Sequence, residues 1–141
     1  MRFEGGRDDV KHALIIEDQN VFAQLIEDEL RELGYESVEI VATEEDAIAS
    51  AAKRCPDLIT VDQRLSDGSG VEAIRAICSE RRIPFVFITS YRNEVREALP
   101  EAVVLGKPFW PPKLQDAIAH AVGVSRMAVE RPSECSDPGP A

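Results

Sequence analysis

Ala13-Leu14-Ile15-Ile16-Glu17-Asp18, four apolar residues followed by two carboxylates, is the stretch that decides the fold of this 141-residue chain. A short apolar run that ends abruptly in polar residues is typical of a buried parallel strand. In open α/β sheets, ligands bind at the carboxyl ends of such strands. The stretch therefore predicts a first strand that carries two acidic side chains to the ligand-binding edge of a sheet.

Further apolar runs along the chain end in the same abrupt way. Asp62 follows residues 58–61, Thr89 follows residues 85–88, and Lys107 comes two residues after the run 102–105. Residues 37–42 are predicted to form one more strand, and segments with helical spacing separate the five. We therefore predict an α/β fold, a (βα)5 doubly wound parallel sheet of five strands, with right-handed crossovers that place helices on both faces.

The helices are predicted from apolar spacing and capping residues. Asn20 is expected to cap the first helix, Thr43 the second, and the last is expected to begin at Pro111. The first helix should turn five apolar side chains inward: Phe22, Leu25, Ile26, Leu30 and Leu33. Only a turn or two of helix, residues 94–99, fits between the fourth and fifth strands, so the fourth helix is predicted to be short or absent.

Composition limits the classes of function that the chain can have. With 44% apolar and 30% charged residues, it suits one folded domain, which we place at residues 11–122. Residues 1–10 are predicted to be a flexible leader, and residues 123–141 a disordered tail with no DNA-binding segment. The 26 acidic residues against 16 basic ones argue against general nucleic-acid or anionic-membrane binding. No apolar stretch approaches transmembrane length.

The cysteines and histidines contribute nothing to the predicted site. Cys55, Cys78 and Cys135 are odd in number and lack the close spacing of a metal site. They are expected to stay reduced, which indicates a cytoplasmic protein. His12 and His120 stand outside the strand-end motifs, and surface or capping roles are expected for both.

Three carboxylates at one sheet edge point to a divalent cation. Two like charges about 4 Å apart repel by about 4 kcal/mol at an effective dielectric constant near 20, and Glu17, Asp18 and Asp62 would all repel in this way. Mg²⁺ removes the repulsion, because it prefers a few carboxylate oxygens together with water and phosphate. Lys107 and Thr89 can each bind a phosphate oxygen, which leaves Asp62 as the candidate nucleophile toward a phosphoryl group.

The set of strand-end motifs resembles that of the response regulator receiver domain. The resemblance covers residues 10–122, and its matching elements are Ile15-Ile16-Glu17-Asp18, Asp62 with its preceding apolar run, Thr89 and Lys107-Pro108. The separation between Asp18 and Asp62, 62 − 18 = 44 residues, also resembles that of the family. The resemblance implies a flavodoxin-like receiver fold in which Asp62 accepts a phosphoryl group from a phosphohistidine. It also implies that Mg²⁺ is held by Asp18 and Asp62, by Glu17 through water, and by the main-chain carbonyl of Arg64. The bond before Pro108 would be cis.

Three features narrow the resemblance to one subfamily. The segment between Thr89 and Lys107 is short (107 − 89 = 18 residues), Val104 stands where most receivers carry an aromatic residue, and residues 84–91 read PFVFITSY. The last feature resembles the FAT GUY receivers, although Ser90 replaces the glycine of their motif. This likeness implies a stand-alone receiver of the alphaproteobacterial general stress response, fed by a sensor histidine kinase of HWE or related type or by a phosphotransferase.

The predicted function is therefore a two-component phosphorelay switch rather than an enzyme. Since Val104 is not aromatic, Tyr91 is the candidate for the side chain that moves near Thr89 on phosphorylation. The protein would signal through protein–protein contact or act as a phosphate sink. A monomer is favoured. One alternative is a degenerate receiver that binds partners without phosphorylation. A second, a Mg²⁺-dependent phosphatase of the haloacid-dehalogenase kind, is disfavoured because the first strand ends in Glu17-Asp18 instead of Asp-x-Asp.

Overall fold

A computed structural model describes residues 10–128 of the chain, with side-chain positions up to residue 124. Its five strands are β1 (His12–Ile16), β2 (Ser37–Val41), β3 (Leu58–Val61), β4 (Phe85–Thr89) and β5 (Val103–Gly106). The helices that follow them are α1 (Asn20–Glu32), α2 (Glu44–Lys53), α3 (Gly70–Ile77), α4 (Arg92–Ala98) and α5 (Pro111–Ala128). All neighbouring strands are parallel and the order is β2-β1-β3-β4-β5, which confirms the predicted flavodoxin-like architecture.

The sheet has a hydrophobic core on each face, because successive residues of a strand point to opposite sides. Ala13 and Ile15 of β1 belong to the core beneath α1 and α5. Leu14 and Ile16, the alternate residues of the same strand, belong to the core beneath α2, α3 and α4. Burial on both faces explains why β1, β3 and β4 read as mostly apolar runs.

The strand register brings the polar strand ends together. Ile16, the last residue of β1, pairs with Val61, the last residue of β3. The strands β4 and β5 lie beyond β3 in the sheet, and their last residues, Thr89 and Gly106, pair in the same way. The residues that follow these pairs therefore emerge at one edge of the sheet, as the sequence predicts.

The start and the inward face of α1 differ from the prediction. Gln19, not Asn20, is the residue before the helix, and its side chain caps no backbone N–H. That side chain instead accepts a hydrogen bond from Lys107 Nζ at 2.8 Å. Leu25, expected to face inward, is 49% exposed, because α1 buries the narrower row Ala23, Ile26 and Leu30 against the sheet.

The other helices follow the predicted pattern with shifted ends. Thr43 caps α2, its Oγ1 accepting a hydrogen bond from the Asp46 backbone N–H at 3.0 Å. α4 is short, as predicted, but has seven residues and begins at Arg92. α5 continues past Val122 to Ala128, so the prediction of disorder from Gly123 was wrong for the segment 123–128. The predicted leader up to residue 9 and the predicted tail from residue 129 lie outside the described residues.

Two expectations about single residues were also wrong. His12 is buried on β1, since its ring Nδ1 lies 2.9 Å from Ser37 Oγ and its backbone pairs with Asp57. Cys78 is a free thiol, but Cys55 is disulfide-bonded. The prediction failed because an odd number of cysteines does not exclude one bonded pair. Within residues 10–128, no helix has both the length and the hydrophobicity to cross a bilayer.

Candidate functional site

Lys107, which follows β5, contacts the carboxylates that follow β1 and β3 at the carboxyl edge of the sheet. Its Nζ lies 2.8 Å from Asp62 Oδ2, after β3, and 2.9 Å from Glu17 Oε1, after β1. The side chains of these three residues are at most 7% exposed. The ammonium also lies 4.3 Å from the centre of the Phe22 ring, a cation–π contact that covers it from solvent. The position of Lys107 is therefore fixed from several sides.

Asp18 completes the acidic cluster. One oxygen from each of Glu17, Asp18 and Asp62 lies within 4.8 Å of the others, so the three carboxylates predicted from the sequence do converge. Asp18 is partly open to solvent and accepts a hydrogen bond of 3.3 Å from Ser66 Oγ. The cluster has two buried carboxylates on its inner side and one solvent-accessible carboxylate at its mouth.

The raised pKa of Glu17 indicates that the negative charges of the cluster are not fully balanced by Lys107. Burial raises the pKa of Glu17 to about 7; hydrogen bonding to Lys107 opposes the rise and the nearby charge of Asp62 adds to it. Although Glu17 Oε1 is 2.9 Å from Lys107 Nζ, it accepts no well-aligned hydrogen bond and retains a free lone pair. One ammonium thus faces three carboxylates, and this all-oxygen donor set fits a hard divalent cation such as Mg²⁺.

A close backbone approach holds the loop after Asp62 in place. A Cβ atom added at Gly70 would lie 2.2 Å from the Asp62 carbonyl oxygen, so only glycine fits at the start of α3. The Gly70 N–H donates to the Gln63 carbonyl at 2.9 Å and closes the loop. Gly68 has φ of +87°, a turn conformation that favours glycine.

Thr89 is fully buried at the end of β4 but does not join the cluster directly. Its Oγ1 accepts a hydrogen bond from the Tyr91 backbone N–H at 3.0 Å, and its carbonyl accepts one from the Lys107 backbone N–H at 3.2 Å. The Lys107–Pro108 peptide bond is cis, the geometry that the resemblance implied. Thr89 therefore links the strand that carries Lys107 to the segment that carries Tyr91.

Arg64 and Glu94 form a contact that the sequence reading missed. The Arg64 guanidinium lies 4.0 Å from the centre of the Tyr91 ring and forms an ion pair with Glu94 of α4. This pair raises the pKa of Arg64 and lowers that of Glu94. Gln63 Nε2 adds a longer hydrogen bond of 3.4 Å to Glu94. The loop after Asp62 is thus joined to α4, while the Arg64 carbonyl as a metal ligand stays a prediction.

A doubly wound α/β fold with an acidic cluster and a buried lysine at its carboxyl edge defines a class of phosphoacceptor switch proteins. The family model described as "Response regulator receiver domain" matches residues 13–119. The chain belongs to this family, in which the receiver domain is a phosphoacceptor switch and is not itself a catalytic enzyme.

Relatives with this domain include regulators from several bacteria. The chain is 34% identical over 123 residues to the phyllosphere-induced regulator PhyR of Methylorubrum extorquens, covering 84% of this chain and 46% of that protein. It is 32% identical over 116 residues to the transcriptional regulatory protein PdtaR of Mycobacterium tuberculosis, covering 79% of this chain and 57% of that one. The chain therefore spans about half the length of these curated relatives.

Solved structures give the same fold. The solution NMR structure of the PhyR receiver domain of Erythrobacter litoralis has a TM-score of 0.75 and 28% identity, covering 84% of this chain and 94% of that chain. The crystal structure of the response regulator PhyR from Brucella abortus has a TM-score of 0.76 and 30% identity, covering 84% of this chain and 50% of that chain. Both are relatives of this chain at the level of the receiver domain.

Proposed function

We propose that Asp62 accepts a phosphoryl group from a phosphohistidine on a sensor histidine kinase or a histidine phosphotransferase. The observation that carries the proposal is the Asp62 carboxylate, buried beside Lys107 within a cluster of three acidic side chains. In the transfer, an Asp62 oxygen forms a bond to phosphorus as the bond from phosphorus to the histidine nitrogen breaks. The electron pair stays on the imidazole of the donor.

The surrounding residues are suited to hold the phosphoryl group. Lys107 Nζ, 2.8 Å from Asp62 Oδ2, can move its hydrogen bonds to a phosphoryl oxygen without leaving the site. Mg²⁺, held by Asp18 and Asp62, by Glu17 through water and by the Arg64 carbonyl, would neutralise charge on the phosphoryl oxygens. Thr89 can donate its hydroxyl hydrogen to a phosphoryl oxygen, because the hydroxyl now serves only as an acceptor for the Tyr91 N–H.

The segment from Thr89 to Tyr91 is the proposed conformational switch. A movement of the Thr89 hydroxyl toward a phosphoryl group would alter its bond to the Tyr91 N–H, which precedes α4. Tyr91 is 42% exposed and lies against Arg64, so a change in its position would be visible at the surface. The signal would pass by protein–protein contact, or the chain would act as a phosphate sink.

The biological setting is proposed from the relatives and the subfamily resemblance. PhyR structures are similar to this chain, and one from Bartonella quintana is described as an anti-anti-sigma factor. Together with the PFVFITSY segment, this supports a receiver in a general stress response, with a kinase of HWE or related type as the phosphoryl donor. The second candidate function is a receiver that binds its partner without being phosphorylated.

Phosphorylation with acetyl phosphate and Mg²⁺, read by intact-protein mass spectrometry, tests the proposal. The unchanged chain should gain one phosphoryl group, Asp62→Ala none, and Asp67→Ala, which alters an exposed carboxylate of the same loop, should still gain one. Labelling of Asp62→Ala would contradict the assignment. If the unchanged chain neither takes the label nor responds to beryllofluoride, the phosphorylation-independent binder is supported instead.

NMR spectra recorded with beryllofluoride and Mg²⁺ distinguish a switch from a sink. A switch predicts amide shift changes from Thr89 to Leu99 and at Lys107, all absent in Asp62→Ala. Changes confined to the immediate neighbours of Asp62 would support a phosphate sink.

A further inference from the structure

Lys107 donates a hydrogen bond to one group of the site that carries no charge. Its Nζ lies 2.8 Å from Oε1 of Gln19, the residue that precedes α1. The two charged partners of the ammonium, Glu17 and Asp62, are buried, whereas Gln19 is exposed. The lysine is therefore shared between two buried carboxylates and one amide that is open to solvent.

The three hydrogens of the Lys107 ammonium are all in use. Nζ donates to Glu17 Oε2 at 3.0 Å, to Asp62 Oδ2 at 2.8 Å and to Gln19 Oε1 at 2.8 Å. An ammonium group has three N–H donors and no acceptor. Lys107 can therefore donate to a phosphoryl oxygen only if it gives up one of these three bonds.

The three bonds differ in what their loss would cost. Glu17 and Asp62 form buried ion pairs with the lysine, and breaking such a pair leaves an uncompensated charge. The Gln19 amide is neutral and exposed, so a water molecule can take the place of the ammonium. A charged phosphoryl oxygen is also a stronger acceptor than an amide oxygen. The bond to Gln19 is thus the one that Lys107 can exchange at the lowest cost.

The backbone of Gln19 is held independently of its side chain. The Gln19 N–H donates to Glu17 Oε2 at 3.1 Å, and the Gln19 carbonyl accepts the Ala23 N–H at 3.0 Å in the first turn of α1. The side chain caps no backbone N–H of the helix. It can therefore leave Lys107 while the start of α1 keeps its hydrogen bonds.

We propose that Gln19 is a positioning residue that holds Lys107 in the unphosphorylated chain and is exchanged for a phosphoryl oxygen when Asp62 is phosphorylated. This role depends on the proposed function, because it requires Asp62 to be the acceptor. Gln19 acts on the reaction through Lys107. Since its bond to the lysine exists only before the exchange, Gln19 favours the unphosphorylated state.

Removal of the Gln19 oxygen at nearly constant side-chain size tests this role. Beryllofluoride is titrated into the full chain at saturating Mg²⁺, and its dissociation constant is read from the Thr89 amide. Gln19→Met should lower that constant about 2- to 10-fold, the range expected when the unphosphorylated state loses one hydrogen bond. Gln19→Glu should raise it, because a carboxylate holds the ammonium more tightly than an amide does.

Gln24 provides the matched control. It is an exposed glutamine of α1 whose side chain donates to Glu27 and not to the site. Gln24→Met and Gln24→Glu make the same chemical changes without touching Lys107. Both should bind beryllofluoride with the dissociation constant of the unchanged chain.

The direction of the change separates this role from simple covering of the lysine. A side chain that only covers Lys107 would be replaced by methionine without effect, and a loss of packing would weaken beryllofluoride binding. Either result for Gln19→Met would overturn the exchange, as would an equal gain in Gln24→Met. If the unchanged chain itself does not bind beryllofluoride, the proposed phosphoacceptor function fails as well, so the two failures are distinguishable.

Discussion

Lys107 shows how one residue can organise a site whose parts lie far apart in sequence. Its ammonium contacts Glu17, Gln19 and Asp62, which lie 90, 88 and 45 positions before it. Removing one partner of a buried ion pair leaves an uncompensated charge, which is why such pairs are energetically costly to break. The lysine therefore stabilises the acidic cluster.

His12 provides a test of residue-level electrostatics away from the site. Burial lowers its pKa below 6.5, and the charge of Arg54 lowers it further, while Glu39 and Asp57 oppose the shift. Below pH 6.5 the unfolded chain binds a proton that the folded chain resists, so the free energy of unfolding should fall as the pH falls. The slope from this one group is at most about 1.4 kcal/mol per pH unit.

Urea unfolding between pH 5 and 8 checks this expectation. The difference in unfolding free energy between the unchanged chain and His12→Gln should be constant above pH 6.5 and shrink below it. A pH-independent difference for His12→Gln would mean that its burial does not resist protonation.

At the scale of elements, the contact between Arg64 and Glu94 joins the loop after β3 to the start of α4. Both side chains are substantially exposed, so solvent screens their ion pair and its contribution to global stability should be small. Glu94→Gln should therefore leave global stability almost unchanged and raise amide hydrogen exchange in α4 about 1.5- to 5-fold. Glu97→Gln, an exposed change on the same helix, should leave exchange unaltered. Equal exchange in the two variants would show that α4 is held without Arg64.

Features that depend on local sequence were predictable, and features that depend on distant contacts were not. The sequence pattern placed all five strands, four of them by apolar runs, and the residues that follow β1 and β3 placed three carboxylates at one edge. The beginning of α1 was misjudged because Lys107, 88 residues later, binds Gln19. The pairing of Arg64 with Glu94 was missed for the same reason, since 30 residues separate them. Sequence periodicity carries no signal for either contact.

At the scale of the whole molecule, excess negative charge and the acidic cluster make stability depend on cations. The formal net charge is −10, so any salt should screen general repulsion. A cation that binds the folded state at the cluster adds a further, specific term that grows with its concentration. These two effects separate when Mg²⁺ is compared with NaCl at equal ionic strength.

We therefore expect Mg²⁺ to raise the free energy of unfolding by about 2.7 kcal/mol once it reaches 100 times its dissociation constant. Asp18→Ala should abolish this gain, because Asp18 is one of the three carboxylates of the cluster. That variant should still fold, since Asp18 accepts a single long hydrogen bond, from Ser66. Asp116→Ala, on the exposed face of α5, should keep the full gain. Chemical unfolding at matched ionic strength measures all three, and an equal gain from NaCl would rule out a specific site.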